Sequence, residues 1–341
     1  MIRRIRLELA PGLRVEFTDR DRGIQQVLEF AEKSTWYPVV VFGPEGCGKT
    51  AWLKQSVEIL KEQDFSIIYF NPMRREFLAE VGVKSVEERV LEILKQASSM
   101  HALAEFIGSV IDFAREAIRF GRRRIAIIVD DAFQFTGVRE ASFIVKGMLE
   151  IIEYPPESYE RIVAIAATSE GLSRWEIGRH RWALLRPMWN MGRKGFEELY
   201  EKIPGPKPSI DEAWRLTGGN PDMLTRLYQA NWNADIVVTE LTKMKRLTRD
   251  FVRRWRIYLG SIVEDPDKLW EEEVPEEFIN ELVTRNFVLY DMYDRDLWFW
   301  IDEPPPVKNL ELGIGKHTAW QTPLHREAVK RALREYSNTK S

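Results

Sequence analysis

Eight consecutive residues, Gly43-Pro44-Glu45-Gly46-Cys47-Gly48-Lys49-Thr50, carry the most specific chemistry in this chain. They match G-x-x-x-x-G-K-T, the pattern of a loop that wraps phosphate groups. Glycines here let backbone N–H groups turn inward, because a Cβ would block close approach or the required φ angles. Lys49 supplies a point charge for β- and γ-phosphates, and Thr50 offers a hydroxyl to Mg²⁺. The helix expected to follow, entered through Ala51, adds its positive end. The loop predicts a site for a nucleoside triphosphate.

Two further polar strand ends fit the same chemistry. Arg124 to Val129 is a continuous apolar run that finishes in Asp130-Asp131. In an open parallel sheet ligands gather at the carboxyl ends of strands, so both acids should face the phosphate loop. Asp130 is placed to hold the Mg²⁺ shell and Asp131 to polarise an attacking water as general base. The next apolar run, Arg161 to Ala167, finishes in Thr168-Ser169. Either hydroxyl could contact the attacked phosphate or the water. Beyond them, Arg174, Arg179 and Arg181 lie where a neighbouring subunit's γ-phosphate would be met.

The elements that must position these groups alternate between strand and helix. Tyr37 to Phe42 and Phe65 to Phe70 read as buried strands, the second ended by Asn71-Pro72. A capping box at Ser85 and Glu88 opens one helix, a second is expected from His101 to Phe120, and a third from Ala141 to Ile152. This predicts an α/β fold, a P-loop NTPase core with a parallel sheet over residues 1–203. Pro204-Gly205-Pro206-Lys207-Pro208 can continue neither helix nor central strand and reads as a linker.

A helical segment is expected over 204–258, opened by a capping box at Ser209 and Glu212 and broken at Thr217-Gly218-Gly219-Asn220-Pro221. One helix is expected from Ala234 to Arg256, with Lys245, Arg249, Arg253 and Arg256 along one face. That row suits DNA phosphates or an acidic protein client. Residues 259–341 read as a C-terminal winged-helix-like domain: helix Pro275 to Arg285, a hairpin of Phe287 to Tyr290 with Leu297 to Ile301, and a last helix near Pro323 to Tyr336. From 275 to 341 there are nine Lys or Arg against eleven Asp or Glu. A DNA-reading wing is expected to be basic, so a protein contact is equally compatible with this region.

Composition sets the outer bounds. The 341 residues are 44% hydrophobic and 30% charged, with a net charge of −3, which fits a globular chain of more than one domain. Cys47 is the one cysteine, so no intramolecular disulfide and no Cys-based zinc site can form. No run approaches 18 apolar residues and no stretch of signal-peptide character follows Met1, so a cytoplasmic protein without membrane contact is expected. The Glu, Lys and Arg content is compatible with a thermophile.

Taken together, FTDRDRG at 17–23, GPEGCGKT, IAIIVDD at 125–131, the strand end Thr168-Ser169, GFEELY at 195–200 and TGGNP at 217–221 resemble the archaeal ATPase family. Its relatives are the origin-recognition initiators of the AAA+ class and the signal-transduction ATPases with numerous domains (STAND). The resemblance implies a core with an extra strand between the two phosphate-site strands, then a helical lid and a winged helix. It also implies ATP, ADP and Mg²⁺ as ligands. Gly219, Asn220 and Pro221 would line the adenine side, with Asp21 or Arg22 nearby. The family commonly ends its acidic strand in Asp-Glu, whereas Asp131 is one methylene shorter, so slow turnover is expected. The function implied is an ATP-driven switch or remodelling ATPase, with nucleotide-dependent homo-oligomers. The alternative is an initiator-like protein in which ATP sets DNA affinity.

Overall fold

The computed structural model describes residues 2–71, 74, 76–80, 88, 100–131, 138–168, 171 and 173–337. The expected capping box at Ser85 lies outside the described residues. Near the start of the chain β1 (Arg6–Ala10) pairs antiparallel with β2 (Leu13–Glu16). The chain divides into two units, the first made of Met1–Ile5, Asp21–Phe42 and Lys49–Pro187, the second of Arg6–Arg20, Gly43–Gly48 and Met188–Ser341. The hairpin belongs to the second.

The first unit is built on a six-stranded sheet. In chain order its elements are α1 (Asp21–Lys33), β3 (Val39–Phe42), α2 (Lys49–Glu62), β4 (Ser66–Asn71), β5 (Glu76–Glu80), α3 (Met100–Arg119), β6 (Arg124–Asp130), α4 (Val138–Glu153), β7 (Arg161–Ala167), α5 (Ser173–Gly178) and β8 (Leu184–Pro187). The strand order is β5-β4-β6-β7-β3-β8, with β5 antiparallel to β4 and the other pairs parallel. β7 therefore separates β3 from β6, the extra strand that the resemblance implies. The inner strands are near-continuous apolar runs because helices cover both faces of a parallel sheet. Ile68, Phe70, Ile125, Ile127, Val129, Ile162 and Ala164 pack with Phe113 and Met148 in the core.

Register brings the polar strand ends to one edge. Asp130 stands opposite Ala167, Val41 opposite Ala167, and Phe70 opposite Val129. Helix α5 carries Arg174, and Arg179 and Arg181 follow its end. The short edge strand β8, absent from the sequence reading, pairs with β3 along Val39 to Phe42.

The second unit continues with α6 (Arg193–Glu201), α7 (Ile210–Thr217), α8 (Pro221–Gln229), α9 (Ala234–Met244), α10 (Arg249–Glu264), α11 (Glu276–Thr284), β9 (Val288–Tyr290), β10 (Thr318–Trp320) and α12 (Pro323–Ser337). Ser209 caps α7 by accepting from the Glu212 amide, and Gly218 ends it in the left-handed region at φ 60°. The Pro-rich linker is held close: Lys207 Nζ donates to the carbonyls of Tyr200 and Ile203 and sits 4.3 Å from the Tyr200 ring centroid. Val15, Met191, Phe196, Leu199, Ala213 and Leu224 form a core of this unit.

Two expectations are corrected here. The helix expected from Ala234 to Arg256 is two helices, because Arg246 turns left-handed at φ 53° and Thr248 starts α10 by accepting from the Phe251 amide. The strand partner of β9 is β10, paired antiparallel, and not Leu297 to Ile301. Leu297–Phe299 is a 3₁₀ turn instead, capped by Asp296. The stretch between the two strands thus runs from 291 to 317.

Candidate functional site

Within the first unit, a hydroxyl and a carboxylate from distant strand ends meet. Thr50 stands in the first turn of α2 and donates from Oγ1 to Asp130 Oδ1 at 3.3 Å. The other carboxylate oxygen, Oδ2, accepts from Tyr69 Oη at 3.0 Å and from Asn71 Nδ2 at 2.8 Å. Asp130 is fully buried. Burial pushes its carboxyl up to about 6 and the Asp131 charge adds to this, while the Asn71, Thr50 and Tyr69 donors pull the other way. These are hard oxygen ligands, of the kind Mg²⁺ takes alongside phosphate oxygens, so the residues fit that ion.

Asp131 follows at φ 51°, and its amide donates to the Ala167 carbonyl at 3.1 Å. Thr168 is buried at the end of β7, its amide donating to the Val41 carbonyl at 2.9 Å. It therefore continues the ladder between β7 and β3. Ser169 lies outside the described residues. Lys49 is buried as the first residue of α2, with Ala51 two positions on. Asp21 and Arg22 occupy the first turn of α1, where Asp21 pairs with Arg4. Arg174 is 4% exposed, with its guanidinium carbon 5.0 Å from the Phe42 ring centroid. Arg179, just past the end of α5, pairs with Glu176 of that helix at 2.6 Å.

The loop residues Gly43 to Gly48 belong to the second unit, which grips them from several sides. Gly43 has to be glycine: a Cβ there would lie 2.0 Å from the Met188 carbonyl oxygen, and its φ is 152°. A Cβ on Gly46 would lie 2.3 Å from Asp222 Cβ. Asn220 donates to the Glu45 carbonyl at 2.9 Å and to Asn190 Oδ1 at 2.7 Å, while its own oxygen caps α8. Pro221 is the first residue of that helix. The Glu45 amide donates to Gln321 Oε1 at 2.8 Å, and the Glu45 carboxylate pairs with Lys245 at 2.7 Å.

Beneath the loop, Arg20 is 3% exposed and spends its guanidinium on three partners. It donates to Asp302 Oδ2 at 2.9 Å, to the Cys47 carbonyl at 2.7 Å and to the Trp189 carbonyl at 2.8 Å. Asp19 and Arg20 both lie in the left-handed region, at φ 67° and 64°. Such a conformation costs about 1–3 kcal/mol per residue and persists only where the surroundings hold it.

Tyr69, Asn71, Arg20, Asn190 and Gln321 were not read from the sequence as site residues. For Asn71 a signal existed, a polar residue at the carboxyl end of the strand that neighbours the acidic one. Arg20 lies in the FTDRDRG stretch, but its role was not legible there, because its counter-charge is 282 positions away.

The cationic row also needs correcting. Lys245 ends α9 and is engaged with Glu45, so it does not share a face with Arg249, Arg253 and Arg256 of α10. Those three arginines are exposed and form no ion pair among the described residues. Arg254, their neighbour, pairs with Glu277 at 2.7 Å.

Comparison with known proteins gives one sequence match and several structural ones. The family model for the ATPase domain predominantly from Archaea matches residues 17–227, more than half of the chain. No curated protein matches. Among solved structures, Cdc6p from Pyrobaculum aerophilum is similar at 12% identity and a TM-score of 0.38, covering 97% of this chain and 99% of that one. ORC2 of Aeropyrum pernix, in ADPNP-ADP complexes, gives 10% and 0.37 over 92% and 94%. AMPPCP-bound DnaA from Aquifex aeolicus gives 15% and 0.37 over 72% of each chain. Among the described residues no helix is long and apolar enough to cross a membrane.

Proposed function

Because the chain belongs to the family of ATPase domains found predominantly in Archaea, we propose that it binds ATP with Mg²⁺ at residues 43–50, hydrolyses it slowly, and works as a nucleotide-driven switch. The observation that carries this is the contact of Thr50 with Asp130, a hydroxyl and a carboxylate meeting directly after a phosphate-loop sequence. Thr50 and Asp130 would hold Mg²⁺, which when bound neutralises charge on the phosphate oxygens. Lys49 and the amino end of α2 steady the phosphates. Asp131 orients and polarises the attacking water, and Thr168 or Ser169 contacts it or the γ-phosphate. Asn220 and Pro221, and separately Asp21 or Arg22, are our candidates for the adenine side.

The switch reading is supported by the grip on the loop within the second unit. Glu45 and Cys47 bond to Asn220, Lys245 and Gln321 and to Arg20, so a change in the loop's shape strains bonds to the α8, α9 and α12 regions. We keep 204–258 as a helical lid and 259–341 as a winged-helix-like domain within that unit. Size-exclusion chromatography with ATP, with ADP and without nucleotide, alongside a phosphate-release assay, tests the reading. No nucleotide-dependent change in hydrodynamic radius and no phosphate release would end it. The same runs decide the nucleotide-dependent homo-oligomer.

A second reading, DNA binding set by ATP, is favoured by Arg249, Arg253 and Arg256, which are exposed and form no ion pair among the described residues. Duplex DNA added to the chromatography separates it from an acidic protein client.

A further inference from the structure

We propose that Tyr69 and Asn71 are positioning residues for the metal-side carboxylate: they hold one oxygen of Asp130 so that the other faces Thr50 and Mg²⁺. This rests on the reading that Thr50 and Asp130 hold the ion with the nucleotide.

The arrangement follows from strand geometry. β4 runs parallel beside β6, and the pairing of Phe70 with Val129 brings the next residue, Asn71, level with Asp130. Residues two apart on a strand share a face, so Tyr69 and Asn71 point one way while Ile68 and Phe70 point into the apolar core. Both polar side chains are buried, Asn71 at 0% and Tyr69 at 4% exposure. A buried donor left without an acceptor is costly, so each is strongly tied to its partner.

That acceptor is the same atom for both. Tyr69 Oη and Asn71 Nδ2 converge on Asp130 Oδ2 at 3.0 and 2.8 Å, and Oδ1 is left to Thr50. The amide of Asn71 cannot be turned round, because its own oxygen accepts from the Arg74 amide at 3.0 Å. Two donors on one oxygen stop the carboxylate from rotating about its Cβ–Cγ bond. Outer partners that orient a metal ligand in this way commonly change metal affinity by about 10–100-fold when removed.

The test uses the full chain and titrates Mg²⁺ into a fluorescent ATP analogue bound to wild type, Tyr69→Phe and Asn71→Ala. We expect the Mg²⁺ concentration that half-saturates the tightening of binding to rise about 10-fold in Tyr69→Phe and further in Asn71→Ala. Affinity in EDTA should stay at the wild-type value in both. A Mg²⁺ half-point unchanged in both variants overturns the proposal. So does an equal loss of affinity with and without EDTA, which would mean a purely structural support. Tyr69→Phe removes one oxygen and keeps the ring, so it decides the matter if Asn71→Ala does not fold. A wild type whose nucleotide affinity ignores Mg²⁺ would overturn both the metal reading and the proposal.

Discussion

Thr50 and Asp130 lie 80 positions apart in the chain and meet at 3.3 Å, with the carboxylate fully buried and the hydroxyl at the amino end of a helix. An ionised carboxylate in such a place is costly until a cation joins it.

The pH dependence of stability follows from that cost. The Asp130 carboxyl titrates at about 6 in the fold, raised first by burial, against 3.8 ordinarily. A raised carboxylate value means the fold's preference for the protonated form is fully present below about pH 4 and lost as pH passes about 6. Asp130→Asn never pays this, so without nucleotide the variant should gain on wild type between pH 4.5 and pH 7.5. The difference between the two Tm values should widen by about 3 °C over that range, from roughly 2 kcal/mol of linkage. Equal Tm differences at the two pH values would contradict the assignment.

Replacing Lys49 with Ala removes the loop's cation and leaves the fold intact. Affinity for a fluorescent ATP analogue should fall by at least about tenfold, while the far-UV circular dichroism and Tm stay close to wild type. Unchanged binding would exclude residues 43–50 as the nucleotide site.

Asp131 separates chemistry from binding. Asp131→Asn keeps the size of the side chain and removes its ability to polarise water, so phosphate release should drop by about 10²-fold or more with little change in ATP affinity. Asp131→Glu restores the missing methylene and is expected to match or exceed the wild-type rate in the same assay. A fall in affinity as large as the fall in rate would give Asp131 a binding role instead.

The arginines of α10 give a salt-dependence. If Arg249, Arg253 and Arg256 each neutralise one phosphate of duplex DNA, the log–log salt slope should be about −3 and shrink by about 1 for each Ala substitution. Lys245→Ala should leave the slope alone, since that ammonium is already paired with Glu45. Undetectable DNA binding at low salt would favour a protein client.

What could be read from the sequence was what is written in adjacent residues. The phosphate loop, Asp130 at the end of β6 and the Ser209 cap each depend on a few neighbours in the chain, and they lie where expected. The run Leu297 to Ile301 reads as a strand because of its aromatic and β-branched residues, yet Asp296 capping the Trp298 amide turns it into a 3₁₀ turn. The left-handed φ of Arg246 was hidden in a lysine and arginine run, and the one local sign of the break was Thr248, a residue type that starts helices. Tyr69 and Asn71 become site residues only once the register of β4 against β6 is known. Arg20 needed a partner from the far end of the chain.

That last pairing has a consequence for how the protein is made. Arg20 and Asp302 are separated by 282 positions. At about 5–20 residues per second, a ribosome takes roughly 15–60 s to supply the second after the first. Until then the arginine that props the Cys47 carbonyl lacks its ion-pair partner, and the floor of the nascent phosphate loop is incomplete. A fragment ended at residue 203 inherits the same defect for good. Cutting out the nucleotide-binding half for separate study therefore leaves Arg20 to hold the Cys47 and Trp189 carbonyls without that carboxylate.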